Sequence, residues 1–123
     1  MRRPSLKDDL IYPNWFEGTW DVVNSIVGED EEESIMHVAK FFVDSSNRIV
    51  ADREYNTNSY AVNSKEKEFL FVKNDPNSPN RQFAQLINDR FLETKIIGRS
   101  QERINEELFL TDELMLEILH SQS

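Results

Sequence analysis

The chain of 123 residues has no cysteine. Disulfides and thiolate metal sites are therefore excluded, while the compartment is left open. Histidine is nearly as scarce, with two in the chain. A two-histidine metal site would need His37 and His120 to converge, which nothing in their spacing requires. Positive charge is short as well: 14 Lys and Arg stand against 23 Asp and Glu, for a formal net charge of −9. A phosphate-backbone binder needs a basic stripe, so nucleic acid is not an expected partner. The acid excess suits solubility or a basic partner. No apolar run approaches the ~20 residues that span a bilayer, so no membrane span is expected. Met1-Arg2-Arg3-Pro4 starts positively but has no apolar segment behind it, unlike a secretory signal. Neither a Gly-x-Ser-x-Gly elbow nor a phosphate-cradling Walker loop is present. No carboxylate pair is marked as catalytic by its context, so the chain does not read as an enzyme.

What is present points to β-structure. The length suits one domain able to bury roughly 65% of its unfolded surface. Residues 1–14, with Pro4 and Pro13 and no periodicity, read as an N-terminal arm whose Leu10-Ile11-Tyr12 triplet could dock on a single β domain over residues 15–123. From Phe16 apolar and polar residues alternate: Trp20, Val22, Asn24 and Ile26 against Thr19, Asp21, Val23 and Ser25. Gly28 ends this run, Glu29 to Glu33 form an acidic turn, and a second strand runs from Ser34 to Val43. Asp44-Ser45-Ser46-Asn47 is a turn. A third strand is expected from Arg48 to Tyr55, broken by Asn56, Asn58 and Asn63, with Tyr60-Ala61-Val62 as a short strand of its own. Glu68 to Lys73 is another strand, and Asn74 to Asn80 a loop rich in turn formers. Residues 81–98 fit a helix through Phe83, Leu86 and Ile87, or a hairpin turning at Asn88-Asp89. The β-branched Thr94, Ile96 and Ile97 favour the hairpin. At the end, Thr111 can cap a helix that sets Leu114, Met115, Ile118 and Leu119 on one face, with a strand over Leu114 to Leu119 as the alternative.

The opening stretch, Tyr12-Pro13-Asn14-Trp15-Phe16-Glu17-Gly18-Thr19-Trp20, is followed in order by Asp52-Arg53-Glu54-Tyr55-Asn56, Asn77-Ser78-Pro79-Asn80-Arg81-Gln82, Leu92-Glu93-Thr94-Lys95 and Gly98-Arg99-Ser100-Gln101-Glu102. With these motifs the chain resembles a lipocalin-like family of cyanobacteria and plastids, over most of residues 12–119. The resemblance implies an antiparallel calycin-type barrel or strongly curved sheet, here with a short C-terminal helix and without the family's last strands. It implies no particular activity and no cofactor. It also implies a cytoplasmic or plastid location.

Within such a fold, Gly18 would open the first strand without a Cβ clash, and Trp20 would plug one end of the barrel. Arg99 or Arg103 would lie over its ring in a cation–π contact. On a third strand Arg53 and Tyr55 would share a face, Arg53 offering its fork of donors to a ligand carboxylate. Trp20, Phe41, Tyr55, Phe69 and Phe71 would line a pocket, with Arg53 as polar anchor. His37 reads as a satisfied core residue more readily than as a tetrapyrrole ligand, Arg81 as part of a loop network, and Glu29 to Glu33 as a solvated turn rather than a calcium loop. The function expected is a non-enzymatic binding module for a small apolar or amphipathic ligand. The alternative is a protein-interaction or assembly factor of photosynthetic complexes, working through sheet edges against a protein partner or a second copy.

Overall fold

The computed structural model describes residues 8–27, 32–64, 67–103, 105–106 and 108–121. Over these residues the chain is mostly antiparallel β-structure in two open sheets, with one α-helix among the described residues. It divides into two compact units, Leu10–Phe69 and a second formed by Met1–Asp9 with Leu70–Ser123. The first half of the expected arm (1–7), Gly28 and the first acids of the run lie outside the described residues.

In the Leu10–Phe69 unit, β1 (Gly18–Val27), β2 (Glu32–Val43) and β3 (Ile49–Ala51) form a sheet in that order. Glu32 and Glu33 already belong to β2, so the acidic turn is shorter than its charge pattern suggests. β1 and β2 pair from Gly18 opposite Phe41 to Val27 opposite Glu32. Strand alternation then puts Trp20 and Val22 on one face with Ile35, His37, Ala39 and Phe41, and Ile35 and Ala39 are buried there. Gly18 opens β1 at φ +128, a conformation that side chains with a Cβ rarely adopt. The β2–β3 turn is closed by Asp44, whose Oδ1 accepts from the backbone of Ser46 and Arg48, each at 2.9 Å. These donors hold its carboxyl below the ordinary range, the Arg48 N–H contributing most. Leu10 is buried, and Tyr12 donates its N–H to Ile49 O at 2.9 Å, so this triplet joins the unit.

The third strand is much shorter than expected. It stops at Ala51, and residues 53–63 form helix α1 (Arg53–Asn63). Asp52 is the reason: its Oδ1 accepts the Tyr55 N–H at 3.1 Å and its carbonyl accepts the Asn56 N–H at 2.8 Å, which is N-capping. Glu54 adds a favourable charge in the first turn. The asparagines that read as breakers support the helix instead. Asn58 Nδ2 donates to Glu54 O at 2.9 Å and Asn63 Nδ2 to Ser59 O at 2.7 Å. Asn56 and Ser59 serve β2. β3 covers β2 only from Phe41 to Val43, and past that point these two side chains take the place of a strand. Asn56 accepts from Lys40 N at 2.6 Å and donates to Lys40 O at 3.1 Å, and Ser59 Oγ accepts from Val38 N at 3.0 Å.

The second sheet has the order β4 (Phe69–Asp75), β5 (Ser78–Leu86), β6 (Arg90–Arg103), β7 (Phe109–Ser121). The expected loop over Asn74 to Asn80 shrinks to a turn at Pro76-Asn77 between β4 and β5, with Asn77 N bonded to Asp75 Oδ1 at 2.8 Å. The β5–β6 hairpin turns at Asn88 and Asp89, as the sequence suggests, with φ of 63 and 56. Two successive left-handed residues match the right-handed twist of the flanking strands. Val72, Ala84 and Ile96 are the buried apolar side chains here.

The expected C-terminal helix is absent, and β7 stands in its place. Leu, Glu and Met favour helix intrinsically, but tertiary pairing overrides that preference. β7 pairs with β6 from Phe109 opposite Arg103 to Ser121 opposite Arg90, with one bulge between Ile96 and Gly98. Facing residues then become partners, as Glu113 does for Arg99 and His120 for Phe91.

Candidate functional site

The Leu10–Phe69 unit carries an open groove of about 400 Å³ lined by Trp15, Phe16, Trp20, Val22, Val23 and Phe41, with Asp21 its single charge. The short helical turn Asn14–Phe16 presents Trp15 and Phe16. It is held by Phe16 N on Pro13 O (3.0 Å) and Glu17 N on Asn14 O (3.2 Å). The rings form one cluster. Tyr12 lies 5.0 Å from Phe16 and 4.9 Å from Phe41, Phe16 lies 5.3 Å from Phe41 and 4.4 Å from Trp15. These are the spacings and tilts at which aromatic quadrupoles attract. Trp20 is fixed at the head of β1 because its Nε1 donates to Phe16 O at 2.6 Å. Both indoles are nonetheless open to solvent, Trp15 at 43% and Trp20 at 44% exposure. With the Trp20 N–H already satisfied, the groove offers apolar surface and ring faces rather than donors.

Of the residues expected to line a pocket, Trp20 and Phe41 meet at this groove. Arg53 and Tyr55 stand on α1. Two positions along a helix are about 200° apart, so they lack the common face a strand would have given them. Tyr55 instead carries Lys40 Nζ 4.0 Å above its ring. Phe69 and Phe71 alternate along β4, with Lys73 Nζ 5.5 Å from the Phe71 ring. Arg103 is exposed near the end of β6, opposite Phe109. Trp15 and Phe16 complete the groove; their signal in the sequence is the aromatic doublet after Pro13.

Arg99 is buried and fully engaged in its own unit. Its Nε and Nη2 donate to Glu113 Oε2 at 2.9 and 2.6 Å, Nη2 also reaches Asn80 Oδ1 at 2.5 Å, and Nη1 donates to Asp8 O at 2.9 Å. Asn80 Nδ2 donates to the same Asp8 carbonyl at 2.9 Å. This network ties β5, β6 and β7 to Asp8.

A second cluster lies on the other face of the same sheet. The nearly buried Glu93 carboxylate accepts from Arg81 Nε at 2.6 Å, has His120 Nε2 at 3.1 Å and Lys95 Nζ at 3.5 Å. The His120 bond is the main cause holding the Glu93 carboxyl below its usual range; Arg81 and Lys95 add to it and burial opposes it. Arg81 also reaches Asp75 Oδ2 at 3.3 Å and lies 4.7 Å from the Phe83 ring, while His120 stacks on Phe91 at 4.4 Å. Hydrogen bonding to Glu93, above all, raises the Arg81 pKa. Every charge here has a partner, so the cluster reads as a clamp across β5, β6 and β7.

A family model described as a domain of unknown function (DUF6816) matches residues 5–123. The chain belongs to that family. No curated protein and no solved structure is similar enough to this chain to match it. Nothing in the DUF6816 description assigns a site, so the remaining histidine is read from geometry alone. His37 Nδ1 lies 3.3 Å from Val38 O, its ring meets Tyr60 edge-on at 5.5 Å, and Nε2 is buried without a partner. No group of three or more His, Cys, Asp or Glu is arranged to hold a metal among the described residues.

Proposed function

We propose that the chain is a non-enzymatic binding module and that its site is the aromatic groove of Trp15, Phe16, Trp20 and Phe41. The observation that carries this reading is the pair of half-exposed indoles over an apolar, ~400 Å³ groove, with the Trp20 ring anchored to Phe16 O. A mostly apolar concavity with few polar groups is the ordinary form of a small-molecule site. The ligand class is apolar or amphipathic, with a flat or chain-like body that stacks between the rings. The resemblance to a lipocalin-like family, carried by the Gly18-Thr19-Trp20 opening and the order of the motifs, supports the reading. It remains part of this proposal, since the sheets described are two open ones.

The groove contains both tryptophans of the chain, so intrinsic fluorescence reports on it directly. An apolar probe such as anilinonaphthalene sulfonate is expected to quench that emission saturably, with a dissociation constant on the order of 10 μM, about −7 kcal/mol. Trp20→Ala removes a large contact and should weaken the probe roughly 10- to 100-fold, from the ~1.5–3 kcal/mol of a buried apolar side chain. Unsaturable quenching that is the same in wild type and Trp20→Ala would sink the reading.

A protein-interaction role is the second reading. It is favoured by the exposed apolar side chains of the second sheet, Leu114 at 63% above all, because contiguous apolar surface marks interaction sites.

A further inference from the structure

We infer that the outer edge of β7 pairs antiparallel with β7 of a second copy of the chain, about a two-fold axis centred on Leu116. β7 runs from Phe109 to Ser121 and is the last strand of its sheet among the described residues, with β6 as its neighbour. Alternate backbone N–H and C=O groups along it therefore point away from the sheet. Such an edge invites another strand unless Lys, Pro, a bulge or shortness blocks it. β7 contains no Lys, Arg, Pro or Gly, and the bulge in the β6–β7 ladder lies in β6, where Ile97 is the extra residue. The opposite edge of the same sheet is blunted: β4 has seven residues and carries Lys73. On β7, by contrast, Leu110, Leu114, Met115, Leu116 and Leu119 are all exposed.

The acid pattern selects the occupant and the register. A two-fold axis normal to the sheet keeps each face continuous and sets one residue opposite itself. Centres at Asp112, Glu113 or Glu117 oppose an acid to itself, and a centre at Met115 opposes Glu113 to Glu117. Like charges directly opposite are unfavourable. Leu114 and Leu116 are the central positions that avoid this and still pair most of the strand. A centre at Leu114 faces Asp112 with Leu116. A centre at Leu116 instead faces Leu116 with itself, Leu114 with Ile118 of the second copy, and Asp112 with His120 of the second copy. The other face sets Glu113 against Leu119 and Met115 against Glu117, so each centre opposes some acid to an apolar residue. What the Leu116 centre adds at each end is an acid beside an imidazole whose Nδ1 is not engaged by Glu93. The self-complementarity is that of an isologous interface. It is independent of the ligand groove, which contains no β7 residue.

Sedimentation equilibrium of the full chain is expected to give twice the 14.5 kDa monomer mass. Leu116→Lys, which opposes two new charges, should return the monomer with an unchanged circular dichroism spectrum. Because the chain has no native cysteine, cross-linking reads the register directly and needs no monomeric variant. Oxidised Leu116→Cys should form a covalent dimer, and Leu114→Cys should not. A wild-type chain that stays monomeric at high micromolar concentration overturns the proposal. So does a dimer that persists in Leu116→Lys, or Leu114→Cys cross-linking at least as readily as Leu116→Cys.

Discussion

Two strands of this protein, β2 and β7, each have a stretch of outer edge that no strand covers among the described residues, and they are treated in opposite ways. β2 extends beyond the three residues that β3 covers. There a helix supplies one amide and one hydroxyl, Asn56 and Ser59, that bond the strand backbone as a neighbouring strand would. Among the described residues no strand or helix side chain covers β7 in this way along its outer edge, which presents leucines instead. The difference teaches that polar residues beside a sheet can be edge protection rather than loop, and that an edge without them is a surface for pairing. The proposed assembly follows from that contrast.

The comparison is broken most severely by removing what holds the second sheet together internally. Arg99 is buried and all its bonds are made within its own unit. Arg99→Ala takes from Glu113 and Asn80 the bonds that Arg99 donates, and losing one partner of a buried pair costs about 3–5 kcal/mol. Chemical denaturation should register that loss, with hydrogen exchange accelerated in β5, β6 and β7. The double variant Arg99→Met, Glu113→Leu should recover most of it, because an apolar replacement leaves no buried charge. A double variant as unstable as the single would mean that the backbone contact to Asp8 O, and not the ion pair, carries the effect.

The edge protection of β2 is tested next, at a smaller cost. Asn56→Ala removes both bonds to Lys40 and leaves its N–H unpaired, for about 2 kcal/mol. Ser59→Ala removes one bond and should cost about 1 kcal/mol. Fast exchange of the Lys40 and Val38 amides, respectively, should accompany each change. If Asn56→Ala is neutral and the Lys40 amide stays protected, the helix is not acting as a substitute strand and the contrast with β7 fails.

How much of this was legible in the sequence depends on which force decides each segment. β1 and β2 announce themselves by alternation, and the hairpin at Asn88-Asp89 by residues that tolerate positive φ. Trp20 and Phe41 stand at alternating positions of those strands, and the β1–β2 register then puts them on one face. Helix α1 is hidden because Asn, Thr and Tyr are weak helix formers, and its support comes from Asp52, from the i−4 carbonyl bonds of Asn58 and Asn63, and from β2. β7 is hidden for the opposite reason. Its Leu, Glu and Met have helical preference and helical spacing, yet β6 dictates a strand. Arg53 and Tyr55 share a face only if their segment is a strand, and the Asp52 cap, which turns that segment into a helix, separates them.

The hairpin turn itself offers a gain rather than a loss. Asp89 holds φ 56 with a Cβ that disfavours it. Asp89→Gly should stabilise the second sheet by about 0.5 kcal/mol, the net of relieved strain and the extra chain entropy of glycine. An unchanged or lower melting temperature would mean that the Asp89 side chain contributes something the turn geometry does not show.

The least effect is expected from pH, through Glu93. Its carboxyl titrates below the usual carboxylate range in the folded chain, chiefly because of the His120 bond. A carboxylate whose folded pKa is depressed adds stability that is complete above its unfolded pKa and is lost as pH falls through the folded one. The difference in melting temperature between wild type and Glu93→Gln should therefore be constant near neutrality and shrink as pH drops through the carboxylate range. Its size is limited because the Arg81 and His120 side chains are 38% and 41% exposed, so water screens the charges that hold Glu93. A difference that grows on acidification would reverse the sign and show that the clamp across β5, β6 and β7 depends on the protonated acid. A difference that stays flat would show that the three strands are held by backbone pairing and by Arg99 alone, and that the edge strand β7 owes nothing to its charged face.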